Sequence, residues 1–223
     1  MKELFYKCAY TIEYKQIGDS VNYAFEENGH TLYVYFQGSN SITDWVRNFL
    51  FVENPYKMFK VHKGFYQAYS EARNLLLDKI YEKDENGNFK WLKIIIVGYS
   101  HGGALCQIFL EDAIYHRPDI TDSIMGYAFE TPRCLKVKKQ YRHFWKNLIV
   151  IRNNNDLITH LPPAIFGYHH LGRMIKIHGD TKLVDNHSPK CIKSHYPQCV
   201  LDGLEKYKGW ALKTKSSEKL RNA

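Results

Sequence analysis

A serine sits between two glycines in Gly98-Tyr99-Ser100-His101-Gly102. The apolar run Leu92 to Val97 precedes it, and Leu105, Ile108, Phe109 and Ala113 follow at helical spacing. A buried parallel strand that turns sharply into a helix projects the residue at the turn beyond the sheet edge. A Cβ at Gly98 or Gly102 would collide with neighbouring backbone there, and Ser100 is expected to stand exposed on a strained backbone. The helix N-terminus offers unpaired N–H groups and a positive dipole end, both suited to an oxyanion. The pattern therefore points to attack by Ser100 on an ester carbonyl. A bare Gly-x-Ser-x-Gly arises by chance in roughly one chain in ten of this length. The strand before it and the small residues Gly103 and Ala104 after it carry the signal, against the plainer reading of a structural glycine turn.

A serine nucleophile needs an imidazole base, and the imidazole needs a carboxylate to fix its tautomer. Asp156, in "LIVIRNNNDLITHLPP", follows a strand directly. An Asx turn or helix cap is its plainer reading. Asp180 and Asp185 are later alternatives in poorer strand context. Among eleven histidines, His195 opens the last predicted helix and can point back to the sheet edge. His187 in "VDNHSPK" is its rival, and the choice between them stays open. His160, His169, His170 and His178 read as surface or satisfied core residues. No carboxylate or thiol accompanies His169-His170 at ligand spacing, so no metal is expected. No organic cofactor is expected either.

These residues need a scaffold. "VNYAFEENGHTLYVYFQGS" reads as a hairpin, with Asn28-Gly29 supplying positive φ in a tight type I′ turn. Residues 31–36 form its central strand. "GFYQAYSEARNLLLDKIYEK" reads as a helix with Phe65, Tyr69, Leu75, Leu76 and Ile80 along one side. Further strands are expected in "SIMGYAF", "NLIVIR" and 174–178, and a last helix from about His195 to Lys208. Strands alternating with helices imply a mainly parallel, right-handed α/β sheet. The whole chain, 1–223, is expected to form a single domain, with a loose polar tail at about 211–223.

Composition narrows the function classes. The 223 residues suffice for a real core. Lys+Arg 31 against Asp+Glu 23 gives +8, which suits an anionic surface or simply a solvated face. No aromatic-basic motif supports nucleic-acid binding. No signal peptide and no run of about 20 apolar residues is visible. A cytoplasmic protein, or one peripheral on a membrane surface, is expected. Five cysteines without regular spacing read as free thiols, although a Cys191–Cys199 disulfide is conceivable.

The chain also resembles the class 3 lipases, the family of the filamentous-fungal triacylglycerol lipases. Five blocks carry the likeness in order: "VYFQGSNSITDW", "KVHKGFYQAY", "GYSHGG", "FETPRC" and "NNNDLITHLPPAIFGYHHLG". Together they cover roughly residues 20–205. The resemblance implies an α/β-hydrolase fold, a mainly parallel central sheet flanked by helices, with a short helical lid. It implies Ser100 as nucleophile, Asp156 as orienting acid and His195 as base. Ser39, through its N–H and hydroxyl, and the N–H of His101 would form the oxyanion hole. The implied reaction is hydrolysis of acylglycerol esters through an acyl-enzyme. The implied partners are a lipid ester and, transiently, a membrane or lipid-droplet surface, with no obligate protein partner. Departures are Gln37 for arginine, Tyr99 and His101 for His and Leu, and Glu130-Thr131 before Pro132. These change pocket lining without removing a required group.

Ile42, Trp45, Val46, Phe49 and Leu50 fall at i, i+3, i+4, i+7 and i+8, one stripe of a short helix. An ordinary surface helix is the plain reading, and the resemblance favours a lid over Ser100. Two other functions stay open: a phospholipase A1-type activity on anionic membranes, and a non-catalytic lipase-like interaction module.

Overall fold

The computed structural model describes residues 1–38, 52–185 and 188–207. Ser39, the stripe of Ile42, Trp45, Val46 and Phe49, His187 and the 211–223 tail lie outside the described residues.

The centre of the fold is β6 (Lys93–Tyr99), whose Ile-Ile-Ile-Val run is buried on both faces. Such a strand must be covered on both sides, as in a parallel α/β sheet. It lies between β3 (Thr31–Phe36) and β7 (Ile124–Phe129), parallel to both. Parallel β9 (Leu148–Asn153) and β10 (Arg173–Ile177) continue one side. Antiparallel β2 (Val21–Asn28) and β1 (Lys15–Ile17) finish the other, giving a seven-stranded sheet ordered β1-β2-β3-β6-β7-β9-β10. The mainly parallel α/β architecture anticipated from the pattern is present.

Because side chains alternate along a strand, β6 feeds two cores. Ile94 and Ile96 face α2 (Lys63–Ile80) and α3 (His101–His116), packing with Phe65, Tyr69, Leu76, Leu105 and Phe109. Ile95 and Val97 face a second core with Phe5, Tyr35, Phe129, Ile151 and Val200. Phe5 comes from an N-terminal helix, α1 (Lys2–Tyr6), and Val200 from the last helix, Pro197–Lys206. Every residue of α3 from His101 to Ala113 is buried, so its sequence shows little polar relief. Within it Asp112 accepts hydrogen bonds from Lys57 Nζ (2.8 Å), Tyr69 Oη (2.5 Å) and Arg73 Nε (2.7 Å).

Three details depart from the sequence reading. The hairpin loop is Gly29-His30. Asn28 stays paired with Thr31, and only Gly29 takes positive φ, at 55°. Glycine in the first central position is the II′ arrangement rather than I′. A separate three-stranded antiparallel sheet, β4 (Glu53–Tyr56), β5 (Phe59–His62) and β8 (Leu135–Lys136), was not anticipated. All five cysteines are free, so no Cys191–Cys199 bridge forms. Among the described residues no helix is long and apolar enough to cross a membrane.

Candidate active site

The sheet positions the site through the C-terminal ends of three adjacent parallel strands. Each ends in a non-glycine residue with positive φ: Ser100 after β6 (55°), Glu130 after β7 (47°) and Asn154 after β9 (49°). Such backbone costs on the order of 1–3 kcal/mol per residue and persists only where its surroundings enforce it. At Ser100 the enforcement is visible. Its N–H donates to the Phe129 carbonyl at 2.9 Å. A Cβ on Gly98 would overlap the Gly102 carbonyl, and one on Gly102 would overlap the Phe36 carbonyl oxygen. Strand, turn and helix therefore close on one another only because those positions lack side chains. Gly38 ends the described part of the β3 exit beside the elbow, where an added Cβ would lie 3.2 Å from the Ser100 Cβ.

Ser100 Oγ lies 2.8 Å from His195 Nε2, and His195 Nδ1 lies 2.6 Å from Asp156 Oδ2. A carboxylate only accepts, so Nδ1 carries the hydrogen and Nε2 is left to accept from the serine hydroxyl. The other Asp156 oxygen, Oδ1, accepts from the Ile158 N–H at 3.0 Å. Asp156 is thus a local turn acceptor and the partner of the imidazole at once. His195 and Asp156 are fully buried. Ser100 is only 6% accessible, so the expectation of a plainly exposed hydroxyl is corrected. Burial strengthens each of these hydrogen bonds by excluding competing water.

Two residues beyond the expected set brace His195 and the segment that carries it. Tyr99, beneath the elbow, donates from Oη to the His195 carbonyl at 2.6 Å and stacks its ring on the imidazole, 5.3 Å between centroids. Burial first, then the charge of Asp156, pushes the Tyr99 phenol well above its ordinary range, so it remains a donor. Asn153, the last residue of β9, donates from Nδ2 to the Ser194 carbonyl at 2.9 Å and accepts from the Gly179 N–H at 2.7 Å. The sequence signal for Tyr99 is its substitution for a family histidine. Asn153 is hidden in a run of three asparagines.

The remaining candidates fall elsewhere. Asp180 accepts from the Lys182 N–H at 2.9 Å, capping a short turn, and Asp185 is exposed. His160 Nε2 accepts from Arg152 at 2.7 Å, His170 Nε2 donates to the Thr159 carbonyl at 2.7 Å, and His178 pairs with Asn154. Glu130, Asp156 and His195 bring potential metal-ligand atoms within 4.8 Å of one another. Both ring nitrogens of His195 are already engaged with Ser100 and Asp156, so a cation there would have to break that chain. His101, first residue of α3, is neutral at physiological pH, because burial and then the neighbouring His62 lower its pKa to about 4. Its backbone N–H belongs to the first turn of α3, where N–H groups have no intrahelical acceptor.

Comparison with known proteins agrees with this geometry. Residues 33–166 match the family described as Lipase (class 3). A lipase of Rhizomucor miehei is 30% identical over 154 residues, covering 64% of this chain and 40% of that lipase. The secreted mono- and diacylglycerol lipase 1 of Fusarium solani is 28% identical over 149 residues, covering 61% and 41%. This chain thus spans about 40% of the length of those relatives. The solved Rhizomucor miehei triacylglyceride lipase superposes with a TM-score of 0.62 at 26% identity, over 74% of this chain and 65% of that one. A triacylglycerol lipase whose catalytic centre is described as a serine protease triad superposes at 0.64 with 27% identity, over 86% and 78%. The fold is that of the fungal lipases, an α/β-hydrolase, and the chain belongs to the class 3 lipase family.

Proposed function

We propose that this protein is a serine lipase or esterase that hydrolyses acylglycerol esters. The unbroken hydrogen-bonded chain Ser100–His195–Asp156 is the observation that carries the reading. Ser100 Oγ attacks the ester carbonyl while His195 Nε2 takes its proton, and Asp156 stabilises the imidazolium. The oxyanion accepts from the His101 N–H, at the positive end of α3, and from Ser39. His195 then returns the proton to the leaving alcohol, and water repeats the sequence on the acyl-enzyme. The named lipase relatives support an ester of glycerol as substrate. The +8 charge supports transient residence on an anionic lipid surface.

Two measurements test this. A fluorophosphonate probe should label the wild type and leave Ser100→Ala unlabelled. A panel of tri-, di- and monoacylglycerols and phospholipids should show hydrolysis that Ser100→Ala lowers by about three orders of magnitude or more. Absence of labelling in detergent and with lipid would defeat the enzyme reading in favour of an interaction module. Preference for phospholipid would move the substrate to the phospholipase class.

A further inference from the structure

Glu130 is a buried acid that the Ser100–His195–Asp156 chain does not use. It is fully buried, and its strained backbone is pinned by an N–H bond to the Ile151 carbonyl at 2.9 Å. Neither carboxyl oxygen has a well-formed hydrogen bond among the described residues. What lies near is another acid: ligand atoms of Glu130, Asp156 and His195 all fall within 4.8 Å of one another. Two ionised carboxylates in a dry pocket at such a distance repel, and one must hold a proton. The geometry says which. Asp156 accepts N–H bonds from His195 and Ile158, both favouring its charged form, while Glu130 has only the Asn153 backbone near it and no well-formed bond.

We propose that Glu130 is a neutral carboxylic acid whose O–H is directed at Asp156, making it a positioning residue that tempers the charge Asp156 presents to His195. The proposal rests on the catalytic reading of the triad. Burial first, and the Asp156 charge second, push the Glu130 carboxyl well above the usual carboxylate range, with the Asn153 backbone and the Arg152 charge opposing. The titratable groups around it are Asp156 beyond β9, His195 before the last helix, Tyr99 at the end of β6 and Arg152 on β9. Tyr99 is a neutral donor committed to the His195 carbonyl. Arg152 is committed to Thr159 Oγ1 and His160 Nε2. A neutral O–H on Asp156 draws part of its charge away from the imidazolium. Removing that O–H would return the full charge of Asp156 to the imidazolium.

The test is the pH profile of kcat/KM on a soluble ester for wild type, Glu130→Ala and Glu130→Gln. The alanine variant should move the acid limb upward by about one pH unit. Glutamine, a neutral donor of similar shape, should return the limb toward its wild-type place. Difference infrared spectra near neutral pH should show a protonated-carboxyl C=O band in the wild type that Glu130→Gln lacks. A downward shift of the limb in Glu130→Gln would mean that Glu130 is ionised and would overturn the proposal. So would an unmoved limb in Glu130→Ala, or a missing infrared band. Should Glu130→Ala fail to fold, the glutamine profile and the infrared band decide. Fluorophosphonate labelling of Ser100 judges the triad separately, because the infrared band does not depend on turnover.

Discussion

Tyr99 holds His195 by two contacts at once, a 2.6 Å hydrogen bond to its backbone carbonyl and a ring stacked on its imidazole. The residue next to the serine therefore fixes the residue that faces the serine, across 96 positions of sequence. Tyr99→Phe keeps the stack and leaves a buried carbonyl without its donor. It should cost about 1–3 kcal/mol of stability. Loss of imidazole placement should lower kcat/KM on the order of tenfold, with KM little changed. Urea titration and steady-state kinetics on a soluble ester check both; a variant matching wild type in each would remove Tyr99 from the account.

The elbow tolerates no side chain at Gly102, where a Cβ would overlap the carbonyl oxygen of Phe36 on the neighbouring strand. Backbone cannot swing aside as a flexible side chain can. Gly102→Ala should destabilise the fold by about 1–3 kcal/mol and impair Ser100 labelling in whatever protein remains folded. A thermal melt paired with probe labelling reads the two effects.

His101 gives the fold a sensitivity to mild acid. Burial and His62 lower its pKa from 6.5 to about 4. Between those values the unfolded chain binds a proton that the folded chain refuses, so stability falls as pH drops from 6.5 toward 4. The contribution reaches about 3 kcal/mol at the lower end. His101→Leu should flatten this part of the curve and leave stability above pH 6.5 nearly as it is. Denaturation midpoints measured at intervals across that range would reveal it.

Asp112 adds a second loss of stability in acid, at lower pH and from a different cause. Burial alone would raise its pKa, but hydrogen bonds from Lys57, Tyr69 and Arg73 overcome this and bring it from 3.8 down to about 2. Its stabilisation is complete above pH 4 and is lost as pH falls toward 2. Asp112→Asn should therefore cost about 2 kcal/mol at neutral pH. The gap between variant and wild type should shrink below pH 4. A gap that stays constant with pH would assign the loss to packing instead.

The parts of the fold that were legible in the sequence are those whose signal is local and unopposed. β6 is a short, apolar, β-branched run that ends at a glycine, and α3 follows with apolar spacing, so the strand-turn-helix could be placed to within about two residues. The exclusion of side chains at Gly98 and Gly102 was likewise readable. The three-stranded sheet was not, because Glu53–Tyr56 contains Pro55 and Leu135–Lys136 is two residues long. The N-terminal helix is one short turn whose burial depends on Phe5 meeting Tyr99 and Phe129, contacts that no local pattern encodes. In the site, residue type and chain order put forward Ser100, Asp156 and His195 but left His187 as a rival base and Asp180 and Asp185 as later acids. Tyr99, Asn153 and Glu130 could not be named, because their roles come from what the fold brings beside them.

The three positive-φ residues at the ends of β6, β7 and β9 bear on attempts to make the molecule more robust. A designer relaxing torsional strain would be drawn to that rim first, replacing Glu130 or Asn154 by glycine. Those gains would come from the part of the chain that aims the imidazole and the hydroxyl at each other. Heat resistance acquired there should be accompanied by slower turnover, whereas helix-surface substitutions remote from the rim should carry no such penalty.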